Sequence, residues 1–110
     1  MTDAIKVVRI DHQELTDLIK KKLMSAGLPE EAALETATHL TYADLCGIHS
    51  HGAVRVAYYA ERLAKGGVTL NPNIVYTQTG PGTATLDGDN GQGHYIANLA
   101  IDKVIELTKE

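Results

Sequence analysis

The segment Asp44 to Arg62 gathers side chains that handle protons and anions: His49, Ser50, His51, Arg55, Tyr59 and Arg62. With Ser50 or His51 capping a helix, His51, Arg55, Tyr59 and Arg62 fall at i, i+4, i+8 and i+11, on one helical face. A stripe of that kind at a helix N-terminus suits a small anion, because the amides and dipole there favour negative charge. Arg55 is placed to hold a carboxylate through two parallel hydrogen bonds. His51 is placed to exchange a proton with a hydroxyl or carbonyl on the same ligand. Its position near the positive helix end disfavours the imidazolium and keeps it competent as a base. The alternative reading is an ordinary solvated helix face, since exposed Arg and Tyr and a helix-start His are common.

Other motifs weigh less. His49 and His51 form an H-x-H pair, but a metal centre needs three or four ligands. Asp44, Cys46 and His94 complete no known spacing, so no metal is expected. Gly91-Gln92-Gly93 lies between an expected strand and an expected helix, like the opening of a G-x-G-x-x-G fingerprint. Ile96 replaces its third glycine, and the second strand with its acid is not visible. That segment is read as a turn whose glycines supply positive φ, with a phosphate cradle as the alternative. Cys46 is expected to pack as a small apolar residue, Tyr42 to lie in a core or interface, and Asp87 and Asp89 to be loop polarity or a ligand pair.

The positioning elements follow from periodicity. Lys6–Ile10 reads as a short strand. Asp11 reads as an N-cap with Glu14 in the capping-box position, ahead of a helix on Leu15, Leu18, Ile19 and Leu23. Gly27 ends that helix, and Pro29 fits the first turn of the next. The second helix, to about Cys46, has a small apolar side of Ala33, Ala37, Leu40 and Ala43, which allows close packing. A third helix is expected from about Ala53 to Lys65. Strands Ile74–Thr79 and Thr83–Asp87, joined at Gly80-Pro81-Gly82, precede a last helix burying Ile96, Leu99, Ala100, Val104 and Leu107. The fold class is α+β: a helical domain over 1–70, then strand-strand-helix over 71–110. Two strands do not make an independent sheet, so an incomplete mixed sheet is expected, completed from outside these residues.

With 44% apolar and 22% charged residues, the chain has the composition of a soluble globular domain. A net charge of -4 with interspersed signs argues against a nucleic-acid partner. No apolar run approaches the roughly 18 residues of a membrane span, and Met1–Ile10 lacks a signal-peptide core. A single cysteine, Cys46, fits a reducing, cytoplasmic compartment.

The run Tyr42-Ala-Asp44-Leu-Cys-Gly-Ile-His49-Ser50-His51-Gly52-Ala-Val-Arg55, continuing through Tyr58-Tyr59-Ala-Glu-Arg62 to Lys65-Gly66-Gly67, resembles the type II malate/L-lactate dehydrogenase family. Asp87-Gly-Asp89-Asn-Gly91-Gln-Gly93 fits the same family. The resemblance implies hydride transfer between NAD or NADP and a small 2-hydroxy or 2-imino acid, on a fold that is not the Rossmann fold. Within the family the run is most similar to the branch that oxidises ureidoglycolate to oxalurate. Malate, lactate, sulfolactate or a keto or imino acid is the alternative substrate. The resemblance also implies a homodimer or larger assembly. It assigns His51 as acid/base, Arg55 to the substrate carboxylate, and Ser50 and Tyr59 to positions near the substrate. In the ureidoglycolate branch a histidine past residue 110 is the usual proton acceptor, which makes orienting the substrate the other role for His51. Most cofactor contacts and a substrate lysine also lie past residue 110. Family members are much longer, so the chain is expected to be an N-terminal fragment, inactive by itself. A stand-alone dimerisation module is the contrasting expectation.

Overall fold

Asp11 begins the helical layer as an N-cap. Its carboxylate accepts the Gln13 and Glu14 backbone N–H groups at 3.1 and 3.3 Å, satisfying amides that have no intrahelical partner. The computed structural model describes residues 7–109. Helix α1 spans His12–Ser25, α2 Glu30–Leu45, α3 Val56–Ala64 and α4 Gly93–Thr108; strands β1 (Val75–Gly80) and β2 (Thr83–Asp87) lie between α3 and α4. Gly27, Gly47 and Gly66 follow α1, α2 and α3 in the left-handed conformation that releases a helix. Of the strand expected at Lys6–Ile10, Lys6 lies outside the described residues. Val7–Ile10 is irregular and exposed, with no strand partner among the described residues.

The core is aliphatic and small. Ile19 and Leu23 of α1 meet Ala32, Ala33, Ala37 and Leu40 of α2, with Leu28 from the connecting turn and Leu63 from α3. Leu18, expected to join them, is 55% exposed, because the packed face of α1 is narrower than its apolar spacing implies. The buried face of α2 instead takes in Thr36 and Thr41. Thr36 donates to the Ala32 carbonyl at 2.8 Å, and the Thr41 hydroxyl lies 2.8 Å from that of Thr16, so both hydroxyls are buried at little cost.

β1 and β2 form an antiparallel hairpin with Tyr76 opposite Leu86 and Gln78 opposite Ala84, irregular at Gly80. The expected mixed sheet is, among the described residues, this pair alone. Helix α4 lies along α2 through its first half: Asn98 donates to the Glu35 carboxylate, His39 Nε2 is 3.3 Å from Asn98 Oδ1, and the Tyr95 hydroxyl reaches Glu31 at 3.5 Å. Its second half lies over the hairpin, with the Lys103 ammonium 5.1 Å from the Tyr76 ring centre. Contrary to expectation α4 buries no residue. Ile96, Leu99, Ala100 and Leu107 are half-buried and Val104 is exposed, because two strands are too narrow to cover the helix. No helix among the described residues is long and apolar enough to cross a membrane.

This packing separates in kind two leucines of α1 that lie less than two turns apart. Leu23→Ala should lower unfolding free energy by about 2–5 kcal/mol, whereas Leu18→Ala, largely in water, should change it by about 0.5 kcal/mol or less. Urea denaturation of the two variants checks this; equal losses would contradict the assigned core.

Candidate active site

The third helix starts later than spacing predicts. His49–His51 and Ala53–Arg55 are two separate 3₁₀ turns, and α3 begins only at Val56. The cause lies on α2. The Asp44 carboxylate accepts the Ala53 backbone N–H at 2.8 Å through one oxygen and bonds His49 Nδ1 at 2.7 Å through the other. It thereby caps the second turn from a neighbouring element, as an N-cap side chain does locally. The two turns meet at Gly52, which is buried, and a Cβ there would overlap the Asp44 carboxylate. Glycine is required by that close approach.

The expected stripe of four residues therefore divides. His51 belongs to the first turn and does not share the α3 face with Tyr59 and Arg62. Ser50, His51 and Arg55 instead form an exposed cluster: Ser50 Oγ lies 2.8 Å from His51 Nδ1, and Arg55 Nε donates to the Ser50 carbonyl at 2.7 Å. With the Ser50 hydroxyl donating to Nδ1, neutral His51 carries its proton on Nε2. The two terminal nitrogens of Arg55 have no partner among the described residues, the geometry a carboxylate needs for two parallel bonds.

Tyr59 and Arg62 open onto a different feature, a cleft of ≈ 530 Å³ between α3, α2 and the start of α4. His94 is central to it, its ring 5.8 Å from Tyr59 and 5.5 Å from His39. Burial, with a smaller contribution from His39, holds the His94 pKa below the usual histidine value. The spacing argument missed His39 and weighed His94 only as a metal ligand. Their only sequence signal was the helical period of α2 and α4, which carries no record of which faces meet.

The loop before α4 also differs from expectation. The left-handed residues are Asp89 and Asn90 (φ 51 and 55), and Gly91 N–H closes the turn on the Gly88 carbonyl at 2.9 Å. Gly88 and Gly91 are needed for packing: a Cβ at either would stand 2.8 Å from Ile96 or Pro72. Asp87 and Asp89 are spent inside the loop, accepting the backbone N–H groups of Asp89 and Asn73 at 2.9 Å each. Cys46 is exposed at the end of α2 rather than packed, and Tyr42 is 66% exposed, so neither joins the core. Among the described residues no three His, Cys, Asp or Glu side chains converge as metal ligands.

The malate/L-lactate dehydrogenase family model matches residues 10–110. Ureidoglycolate dehydrogenase (NAD(+)) of Escherichia coli O157:H7 is 44% identical over 103 residues, covering 94% of this chain and 30% of that protein. L-sulfolactate dehydrogenase of Methanocaldococcus jannaschii is 36% identical over 95 residues, covering 86% and 26%. Among solved structures, malate dehydrogenase from Pyrococcus horikoshii OT3 superposes with a TM-score of 0.87 at 35% identity, over 93% of this chain and 29% of that one. The chain thus spans under a third of the length of each.

Two outcomes follow from this geometry. Gly52→Ala should destabilise the chain by about 1–3 kcal/mol, and adding Asp44→Ala should cost less than the sum of the single changes, since both break the same cap. Denaturation midpoints of the double-mutant cycle check this. The second concerns pH. Folded His94 resists protonation, so the unfolded chain takes up the proton first as pH falls below about 6.5. Stability should drop between pH 7.5 and pH 5.5, and His94→Gln should shrink that drop; an equal drop in the variant would contradict the assignment.

Proposed function

The chain belongs to the malate/L-lactate dehydrogenase family, and from that premise we propose that the whole protein oxidises a small 2-hydroxy acid with NAD or NADP. Ureidoglycolate, giving oxalurate, is the favoured substrate, supported by the 44% identity to a relative of that name. The carrying observation is the Ser50–His51–Arg55 cluster, held open to solvent by the Asp44 clamp. Arg55 grips the substrate carboxylate through its two terminal nitrogens. In the tautomer whose Nδ1–H donates to Ser50 Oγ, His51 accepts the hydroxyl proton at Nε2; in the tautomer in which Ser50 donates to Nδ1, its Nε2–H orients the hydroxyl. Tyr59 lines the neighbouring space.

Bound NAD or NADP would supply the hydride acceptor. The Gly88–Gly91 turn is filled by Ile96 and Pro72, so the turn itself leaves no room for a pyrophosphate. No residue here is assigned to the cofactor. The same proposal takes the helical domain to end near residue 70, before a non-Rossmann sheet domain. It also takes the whole protein to be a homodimer or larger assembly in the cytoplasm; Ile101 and Ile105, 56% and 47% exposed on α4, support only that further protein covers this helix.

The whole protein carrying this chain should reduce NAD⁺ with ureidoglycolate faster than with malate or sulfolactate. Faster turnover of either competitor reassigns the substrate, and no turnover of any overturns the reading. Arg55→Lys should lower kcat/KM by roughly 10- to 150-fold, the loss of a charge-assisted bidentate contact. His51→Asn should lower kcat about a hundredfold or more if His51 moves the proton; an effect confined to KM makes it a positioning residue.

A further inference from the structure

The cleft beside α3 is not part of the Ser50–His51–Arg55 cluster, and none of those three residues lines it. We infer that this cleft binds a small oxyanion, a phosphate or carboxylate group, through the Arg62 guanidinium, His94 and the free amides that open α4.

Charge is the first ground. The chain has 14 acidic and 10 basic residues, yet no carboxylate lines the cleft, while Arg62, His39 and His94 do. Arg62 has no ion-pair partner among the described residues. Its neighbour Glu61 is taken by Lys65 at 2.7 Å, and its stem lies against Gly67, where a Cβ would stand 2.7 Å from Cγ.

The second ground is the start of α4. Its N-cap, Gln92, makes no side-chain capping bond, so the first amides of the helix lack the usual acceptor. Gly93 is exposed and has nothing within 4 Å of where a Cβ would be, so no side chain crowds this helix start. An oxyanion supplies the missing acceptor and the charge the helix end favours.

Gln92 itself is the third ground. Its side chain is 8% exposed, lines the cleft, and sets its amide nitrogen 3.4 Å from His94 Nδ1. Its oxygen is an acceptor and no partner for an anion, so what Gln92 contributes is the orientation of His94. With the amide nitrogen donating to Nδ1, neutral His94 carries its proton on Nε2, as a further donor. Facing His94 are His39 from α2 and Tyr59 and Arg62 from α3, with Glu35 of α2 engaged by Asn98. An anion among these groups offsets their mutual repulsion and raises the readiness of His94 to protonate.

The test is an NMR titration of the 110-residue chain with inorganic phosphate and, separately, with oxalate, at constant ionic strength in sodium chloride. Imidazole C–H signals of His94 and His39 and the Gly93 amide should shift saturably, and the His94 titration midpoint should rise. Arg62→Gln, which keeps the stem against Gly67, should weaken binding about tenfold or more, and Arg62→Lys should retain most of it. Saturation by phosphate alone identifies a phosphate-bearing ligand, and by oxalate alone a carboxylate-bearing one. No saturable shift up to tens of millimolar, or shifts unchanged in Arg62→Gln, overturns the inference. The readout needs no turnover, so it stands or falls separately from the dehydrogenase proposal.

Discussion

The small buried face of α2 constrains everything around it. Nothing larger than Leu40 lies on that face, and Ala32, Ala33, Thr36, Ala37 and Thr41 make up the rest. Short side chains let α1 come close enough for Ile19 and Leu23 to fill the space between the helices, in a chain with neither Phe nor Trp. Close approach works only because the threonine hydroxyls are satisfied, one by its own helix and one across to Thr16. A larger residue at Ala33 or Ala37, both fully buried, would part the helices and carry off the elements that α2 positions.

Two sets of groups leave α2 from that anchored helix. At its C-terminal end Asp44 reaches forward to His49 and Ala53 and draws the chain into two tight turns. Along its outer side Glu31, Glu35 and His39 hold α4. The first set presents Ser50, His51 and Arg55 to solvent as one cluster. The second closes the cleft in which His94 meets Tyr59 and His39. Both candidate binding features thus rest on one helix, and a charged carboxylate with two good donors is a stiffer support than loop packing alone.

Local signals predicted most of the fold. The Asp11 cap, the glycine stop at Gly27 and the hairpin at Gly80-Pro81-Gly82 each rest on interactions within a few residues, which spacing records. Failures came where a local rule met a distant group. The periodicity of Leu18 is helical, but burial depends on where α2 lies. Cys46 is apolar enough to pack, but the end of α2 leaves it exposed. Gly91 reads as a flexible turn residue, while its actual constraint is Pro72, brought against it by the fold.

The candidate site divides the same way. Ser50, His51, Arg55 and Tyr59 were identifiable by type and order, and so was the family, because both are properties of the linear chain. Their arrangement was not. A carboxylate at position 44 bonded to the amide at 53 delays the helix that spacing caps at Ser50 or His51. The His39–Asn98 contact that seats α4 joins residues 59 positions apart. Sequence determined which groups are present and which local elements carry them. Tertiary packing decided which of them face one another, because bonds across such separations form only after the helices have packed.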